Sequence, residues 1–264
     1  MTTESPAVLY DTKEDGRIAV MTINRPERMN SLGFDVRAGL DEGFERFAAD
    51  DEAWVLILTG SGKAFCAGAD LKQTADIRTG KIQPRAQRQM PTNPLSESLE
   101  LWKPIIGAIN GYAIAGGFNL AMQCDVRIAA ESAQIGIAEA RWNMPAGWLH
   151  DLSRQMHLQH ALELAIWADR RITAQRAYEI GWVNKVVPDE KLMDEAMEWA
   201  ESILYLAPRA LRNFKQILYR GWSMDIMNGR AFARALEQNL VGMKDSIEGP
   251  QAFAQKRKPV FENR

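Results

Sequence analysis

The residues of this sequence best placed to do chemistry are two turns of small side chains rather than a cluster of reactive ones. Lys103 to Cys124 reads KPIIGAINGYAIAGGFNLAMQC. An apolar run, Ile105 to Ile109, ends in Asn110-Gly111; a second short run meets Gly116-Gly117, and Phe118 to Cys124 has the composition of a helix. The start of a helix leaves backbone N–H groups without intrahelical partners, and their dipoles favour negative charge. Glycines there let a ligand come close to the main chain. Lys63 to Leu71, KAFCAGADL, has the same character, with Gly68 between Ala67 and Ala69 ahead of an acidic, helix-starting Asp70. Two such turns can point two N–H groups at one developing oxyanion. Taken singly, glycines of this kind also serve turn geometry and close packing.

Side chains of the usual catalytic types are sparse. His150 and Asp151 stand side by side and suit a base with its orienting group, since imidazole titrates near neutrality; next to Trp148-Leu149, a structural histidine is the competing reading. His157 and His160 complete the histidines, and none has carboxylate or cysteine companions at ligand spacing, so no metal is expected. Cys66 and Cys124 are too few for a disulfide framework and sit in apolar surroundings that suit reduced core thiols. No Walker loop, dinucleotide fingerprint or G-x-S-x-G elbow occurs.

The elements that must carry these turns read as an α/β fold. Ala7 to Asp11 and Ile18 to Ile23 form a hairpin around Lys13-Glu14-Asp15-Gly16, and Asn24-Arg25-Pro26 ends its second strand. From Leu32, the residues Val36, Leu40, Phe44 and Phe47 recur at helical spacing, with Ser31 as N-cap. Trp54 to Thr59 reads as a buried strand of a parallel sheet, and strand, helix, strand in succession makes an α/β domain. Gln73 to Ser96, with Gly80, Pro84, Pro91 and Pro94, reads as a loop or helical flap. Asp125 to Ala129 and Ala133 to Ile137 are further strands. Beyond Asp151 come helices at 158–169 and 174–180, a strand at 183–187, and helices at 190–206, 208–222 and 224–243. No repeat of fixed period appears.

The length, 264 residues, allows one large domain or one domain with an appendage. With 32 basic against 34 acidic residues, nothing suggests a nucleic-acid partner. No apolar run reaches the roughly 20 residues of a membrane span, and the N-terminus lacks a signal peptide's regions, so a cytoplasmic protein is expected.

Four segments together resemble the crotonase, or enoyl-CoA hydratase/isomerase, superfamily: INRPERMNSL at 23–32, GSGKAFCAGADL at 60–71, KPIIGAINGYAIAGGFNLAMQCDVRIAAESAQIGIAE at 103–139 and ITAQRAYEIGWVNKVVP at 172–188. The resemblance spans nearly the whole chain in the right order. It implies a ββα spiral core with a C-terminal helical domain, divided as 1–200 for the core with its acyl-CoA site and 201–264 for a trimerisation and CoA-capping region. It implies a homotrimer or dimer of trimers, and no cofactor beyond coenzyme A as part of a thioester substrate. The amides of Ala69 and Gly116 are the implied oxyanion donors and Glu139 the acid/base. Arg28 and Met29 would border the nucleotide, and Ala67 and Leu71 the pantetheine, with Glu27 where a lysine is common. Lys256, Arg257 and Lys258 are candidate phosphate contacts or a solvated charge run. The family's pocket wall at 73–96 varies with substrate.

Two departures bear on the reaction. Family hydratases carry a glutamate where this chain has Asn119, which can orient water but not transfer protons; family isomerases work with one glutamate, at the position of Glu139. After Glu139, the chain reads Arg141-Trp142-Asn143-Met144-Pro145, with the proline at six residues rather than about seven. Trp142 and Trp148 either line a pocket for a flat or bulky acyl group or belong to the core. The leading expectation is an enoyl-CoA isomerase or hydratase. The alternatives are a hydrolase or decarboxylase of the same fold acting on a cyclic or branched acyl-CoA, with His150 or Asp151 recruited, and a non-catalytic RNA- or protein-binding member.

Overall fold

The computed structural model describes residues 5–84, 99–168 and 170–264. Its first sheet is organised around β3, Val55–Gly60, which is buried along its whole length. Leu56 and Leu58 face one core, and Val55 and Ile57 the other. Both faces are covered, so the strand is continuously apolar rather than alternating. The expected hairpin supplies β1, Val8–Lys13, and β2, Ile18–Ile23, paired antiparallel with Val8 opposite Ile23. With β5, Ile105–Ile109, β7, Val126–Ala130, and β10, Lys185–Val187, they form a six-stranded sheet in the order β1-β2-β3-β5-β7-β10, parallel from β2 onward.

A second, four-stranded sheet has the order β4-β6-β8-β9: Ala64–Cys66, Tyr112–Ile114, Gln134–Gly136 and Ile172–Thr173. Its first three strands are parallel and its last antiparallel. Three strands of the first sheet, β3, β5 and β7, each run into a short strand of the second and then into a helical segment. Thus β3 and β4 lead to α2, Leu71–Arg78; β5 and β6 to α3, Gly116–Met122; β7 and β8 to a 3-10 turn, Glu139–Trp142. This is a ββα spiral of three turns. Helix α1, Phe34–Ala49, packs Val36, Leu40, Phe44 and Phe47 into the first core.

Helices α4, Leu149–Gln155, α5, Leu158–Ile166, and α6, Ala174–Glu179, precede β10, and α7, Leu192–Ile203, covers the outer face of the sheet with Leu192, Ala196 and Ala200. After it come α8, Pro208–Gly221, α9, Ile226–Gln238, and α10, Lys244–Ala254. No helix of the described residues is long and apolar enough to cross a membrane.

Several boundaries differ from the sequence reading. Helix α1 starts at Phe34 with Gly33, not Ser31, as its cap residue. Leu32 is held extended, its N–H donating to the Gly68 carbonyl at 2.7 Å, and the Phe34 N–H is satisfied by Gln73 Oε1 at 3.0 Å. The start of the stretch read as a loop or helical flap is helical: Leu71–Arg78 form a helix capped by Asp70, which accepts from the Gln73 N–H at 2.9 Å. Residues 85–96 of that stretch, with Pro91 and Pro94, lie outside the described residues, as does Asp169. The helix read at 158–169 ends at Ile166, and the single helix read at 224–243 ends at Gln238; Gly242, at φ +85°, turns the chain into α10, which sequence periodicity missed.

Candidate active site

In neighbouring parallel strands the carboxyl ends lie together, and the segments leaving them face a common space. Here the segments after β4, β6 and β8 carry Ala67 and Ala69, Ala115 and Gly116, and Ala138 and Glu139, all of which line one cavity of about 610 Å³. One glycine lets the first two turns touch: Gly68 has φ +90°, and a Cβ there would lie 2.8 Å from the Ile114 carbonyl oxygen and 3.1 Å from the Gly116 nitrogen. Another lets α3 start against β4, since a Cβ on Gly117 would lie 1.9 Å from the Cys66 carbonyl oxygen. A Cβ on Gly116 would stand 3.7 Å from the Ala69 nitrogen, so the two amides adjoin. Among the described residues, neither the Ala69 nor the Gly116 N–H donates to a protein acceptor. For Gly116, the first residue of α3, that is the orphan donor of a helix start.

Ala115, just before it, holds φ 56° and ψ −123°. A side chain rarely adopts this region, and the strain is about 1–3 kcal/mol. The position is locked by its own N–H donating to the Gly136 carbonyl at 2.9 Å and its carbonyl accepting from the Asn119 N–H at 3.0 Å. The strained residue thus ties the donor turn to β8, the strand that leads to Glu139.

Glu139 opens the 3-10 turn and is 8% exposed. Its Oε2 has no hydrogen-bond partner among the described residues. Burial pushes its carboxyl above the ordinary glutamate value, opposed by hydrogen bonds from the Glu139 and Ala138 backbone. Asn119, also buried, lines the cavity, with its Oδ1 accepting from Gln123 Nε2 at 3.2 Å. Trp148 is a buried wall residue stacked on Phe118 at 5.7 Å, and Phe118 stacks on Trp182 at 4.3 Å. Trp142, half exposed, forms another wall with the Arg141 guanidinium 5.0 Å from its ring. Both tryptophans therefore belong to the pocket, and Trp148 to the core as well.

Met29, Ala67 and Leu71 line the same cavity; Arg28 does not. Arg28 lies in a separate depression with Asn24, Glu27 and Gln73, its Nη1 3.6 Å from Asp70. His150 is exposed and absent from the cavity wall, while Asp151 sits 3.9 Å from Arg154 in a second cavity of about 230 Å³. The two do not meet the amides or Glu139 in one pocket. Arg257 is held by both carboxylate oxygens of Glu248, and Lys258 lies over the Tyr205 ring. Burial pushes the thiols of Cys66 and Cys124 up to about 12, as suits inert core cysteines. Sequence reasoning missed Arg37, Tyr112 and Arg171 as wall residues. The sequence offered no sign for Arg37, which sits beside the apolar stripe of α1 rather than in it.

A family model described as enoyl-CoA hydratase/isomerase matches residues 13–264. Among curated proteins, a short-chain-enoyl-CoA hydratase of Clostridium acetobutylicum is 37% identical, the match covering 96% of this chain and 97% of the relative. An (E)-benzylidenesuccinyl-CoA hydratase of Thauera aromatica is 34% identical over 92% and 95%. Among solved structures, an enoyl-CoA hydratase from Bacillus anthracis superposes with a TM-score of 0.87 at 34% identity, covering 98% of this chain and 100% of the other. The three-turn spiral described above is the crotonase fold of these neighbours.

Proposed function

The chain belongs to the enoyl-CoA hydratase/isomerase family, and from that premise we propose that it moves a proton at the α-carbon of an enoyl-CoA thioester, with Glu139 as the acid/base and the amides of Ala69 and Gly116 holding the thioester oxygen. When the α-proton leaves, negative charge collects on that oxygen. Two fixed main-chain donors lower the barrier without reorganising, and each contributes about 3–4 kcal/mol in comparable sites. The observation that carries the proposal is a buried carboxylate with an unpartnered oxygen in the same cavity as two adjoining unengaged amides.

A single carboxylate suits double-bond migration. Glu139 takes the proton from the α-carbon, the double bond shifts, and the same carboxyl returns the proton at the γ-carbon, leaving the enzyme unchanged. Burial raises the carboxyl above its ordinary value, which makes the carboxylate a stronger base for this exchange. Water addition is the second reading. The Asn119 amide in the cavity supports it as a holder for water, and so do the hydratase names of the relatives. In that reading Glu139 takes a proton from water as its oxygen attacks the β-carbon, then delivers it to the α-carbon.

Ala67 and Leu71 would flank the pantetheine, and Arg28 and Met29 would border the nucleotide. The C-terminal helices from residue 201 expose Leu218, Trp222, Ile226 and Phe253, apolar surface that suits a homotrimer or dimer of trimers; sedimentation equilibrium tests this. The activity test incubates 2-enoyl- and 3-enoyl-CoA esters in deuterated water. Migration adds deuterium without the mass of water, hydration adds both, and Glu139→Gln abolishes either. Full turnover by that variant would remove Glu139 from the reaction.

A further inference from the structure

Accepting the acyl-CoA reading of the cavity, we propose that Arg37 receives a second carboxylate carried by the acyl group, so that the preferred substrates are CoA thioesters of dicarboxylic acids. Arg37 projects from α1 into the cavity wall and is half-buried. Its Nε donates to the Leu32 carbonyl at 3.0 Å, and its two terminal nitrogens make no hydrogen bond or ion pair among the described residues. Desolvation weakens its hold on its proton, against which only Cys66 and Asp41 act at longer range. Partly removing a guanidinium from water with no carboxylate in contact with it is costly. A fold tolerates this where a ligand brings the anion.

The rest of the wall points the same way. Arg171 also lines the cavity, its guanidinium 5.1 Å from the Tyr112 ring, against a single carboxylate, Glu139, among the described lining residues.

Position decides which anion Arg37 meets. Its anchoring residue, Leu32, packs on the donor turn: a Cβ on Gly116 would come within 2.9 Å of Leu32 Cδ1. The guanidinium is therefore tied to the wall beside the thioester. The phosphates of coenzyme A lie a full pantetheine arm away from the thioester, so the anion within reach of Arg37 belongs to the acyl group. Guanidinium matches carboxylate with paired N–H donors, which makes the contact selective as well as attractive.

The test measures binding of esters that do not turn over. Butyryl-CoA and valeryl-CoA are compared by calorimetry with succinyl-CoA and glutaryl-CoA, using the full-length protein, Arg37→Met and Arg37→Lys, with each variant's fold checked by circular dichroism. The native protein is expected to bind at least one carboxylate-bearing ester tenfold or more tighter than its neutral counterpart, which is about 1.4 kcal/mol. Arg37→Met should erase that ratio and Arg37→Lys restore part of it. Equal affinities in the native protein, or a preference that survives in Arg37→Met, overturn the assignment while leaving the acyl-CoA reading intact. If Arg37→Met does not fold, the native ratio and Arg37→Lys decide between the same outcomes. Failure of all four esters to bind overturns the acyl-CoA reading itself, and this assignment with it.

Discussion

Asp125 and Glu139 are both carboxylates set among largely apolar neighbours, Asp125 at the amino end of β7 and Glu139 beyond the carboxyl end of β8, yet those neighbours treat them differently. Asp125 accepts from Lys215 Nζ at 2.8 Å, from the Tyr219 hydroxyl at 3.2 Å and from the Ile105 N–H at 2.7 Å. Lys215 also donates to the Lys103 carbonyl at 3.0 Å, and Arg127 nearby donates to the carbonyls of Trp182 and Cys124 at 2.6 and 2.9 Å. Every charge in that cluster is answered. Glu139 leaves one oxygen unanswered in a cavity where two amides are also unengaged. Burial is common to both regions, so burial does not mark the reactive group; the missing partner does, because buried polar groups are normally satisfied and exceptions persist where a ligand completes them.

The largest effect expected from breaking this contrast is on Glu139 itself. Glu139→Gln should fold and lose about 10²- to 10⁴-fold in the rate of deuterium exchange from solvent into an enoyl-CoA, the range typical of a positioned acid/base. Unchanged exchange would put Glu139 on the same footing as Asp125.

Next in size is the converse substitution. Asp125→Ala leaves Lys215, whose side chain is 8% exposed, without its counter-charge, and urea unfolding should show a loss of about 3–5 kcal/mol. A loss under about 1 kcal/mol would mean that the satisfied cluster contributes little.

Gly116→Val probes the amides. The new Cβ meets the flexible end of Leu32, at 2.9 Å, and stands 3.7 Å from the Ala69 nitrogen. The chain should fold, while the thioester oxygen is kept from its donors and kcat falls about 10²- to 10³-fold, the loss typical of one oxyanion donor. Native kcat in this variant would separate the amides from the chemistry.

The smallest effect is on stability against pH. Because burial raises the Glu139 carboxyl above its ordinary value, the folded protein holds that proton more tightly than the unfolded chain. The stabilisation is complete below the ordinary glutamate value and is lost as pH rises through the folded one. Glu139→Gln has no such loss, so it should be more stable than the native protein at neutral pH, with the difference shrinking as pH falls below the ordinary glutamate range. Thermal melts across pH 4 to 8 check the sign, and a constant difference would deny Glu139 its shifted titration.

The buried strand at Val55–Gly60, the hairpin and the helix stripe of Val36, Leu40, Phe44 and Phe47 were legible because their periodicities are local. The small-residue turns were legible for the same reason: Gly68, Gly116 and Gly117 are required within a few residues of backbone. The spiral was not legible as a repeat. Its three turns place the site at the end of β4, β6 and β8, but those strands are only three residues long and the connections between them differ in length, so no fixed period survives. The cap of α1 was misread because Gln73, distant in sequence, supplies what Ser31 was expected to supply.

What the sequence determined by itself was the inventory: an α/β chain, two turns with amides to spare, one carboxylate and an asparagine in the segments resembling a known family. Only tertiary structure decided that Ala69 and Gly116 adjoin, that one Glu139 oxygen lacks a partner while Asp125 has three, that His150 and Asp151 stand apart from the cavity, and that Arg37 faces it. The physical reason is that a backbone conformation is dictated over a few residues, whereas burial, desolvation and the presence or absence of a hydrogen-bond partner are properties of groups brought together from distant parts of the chain.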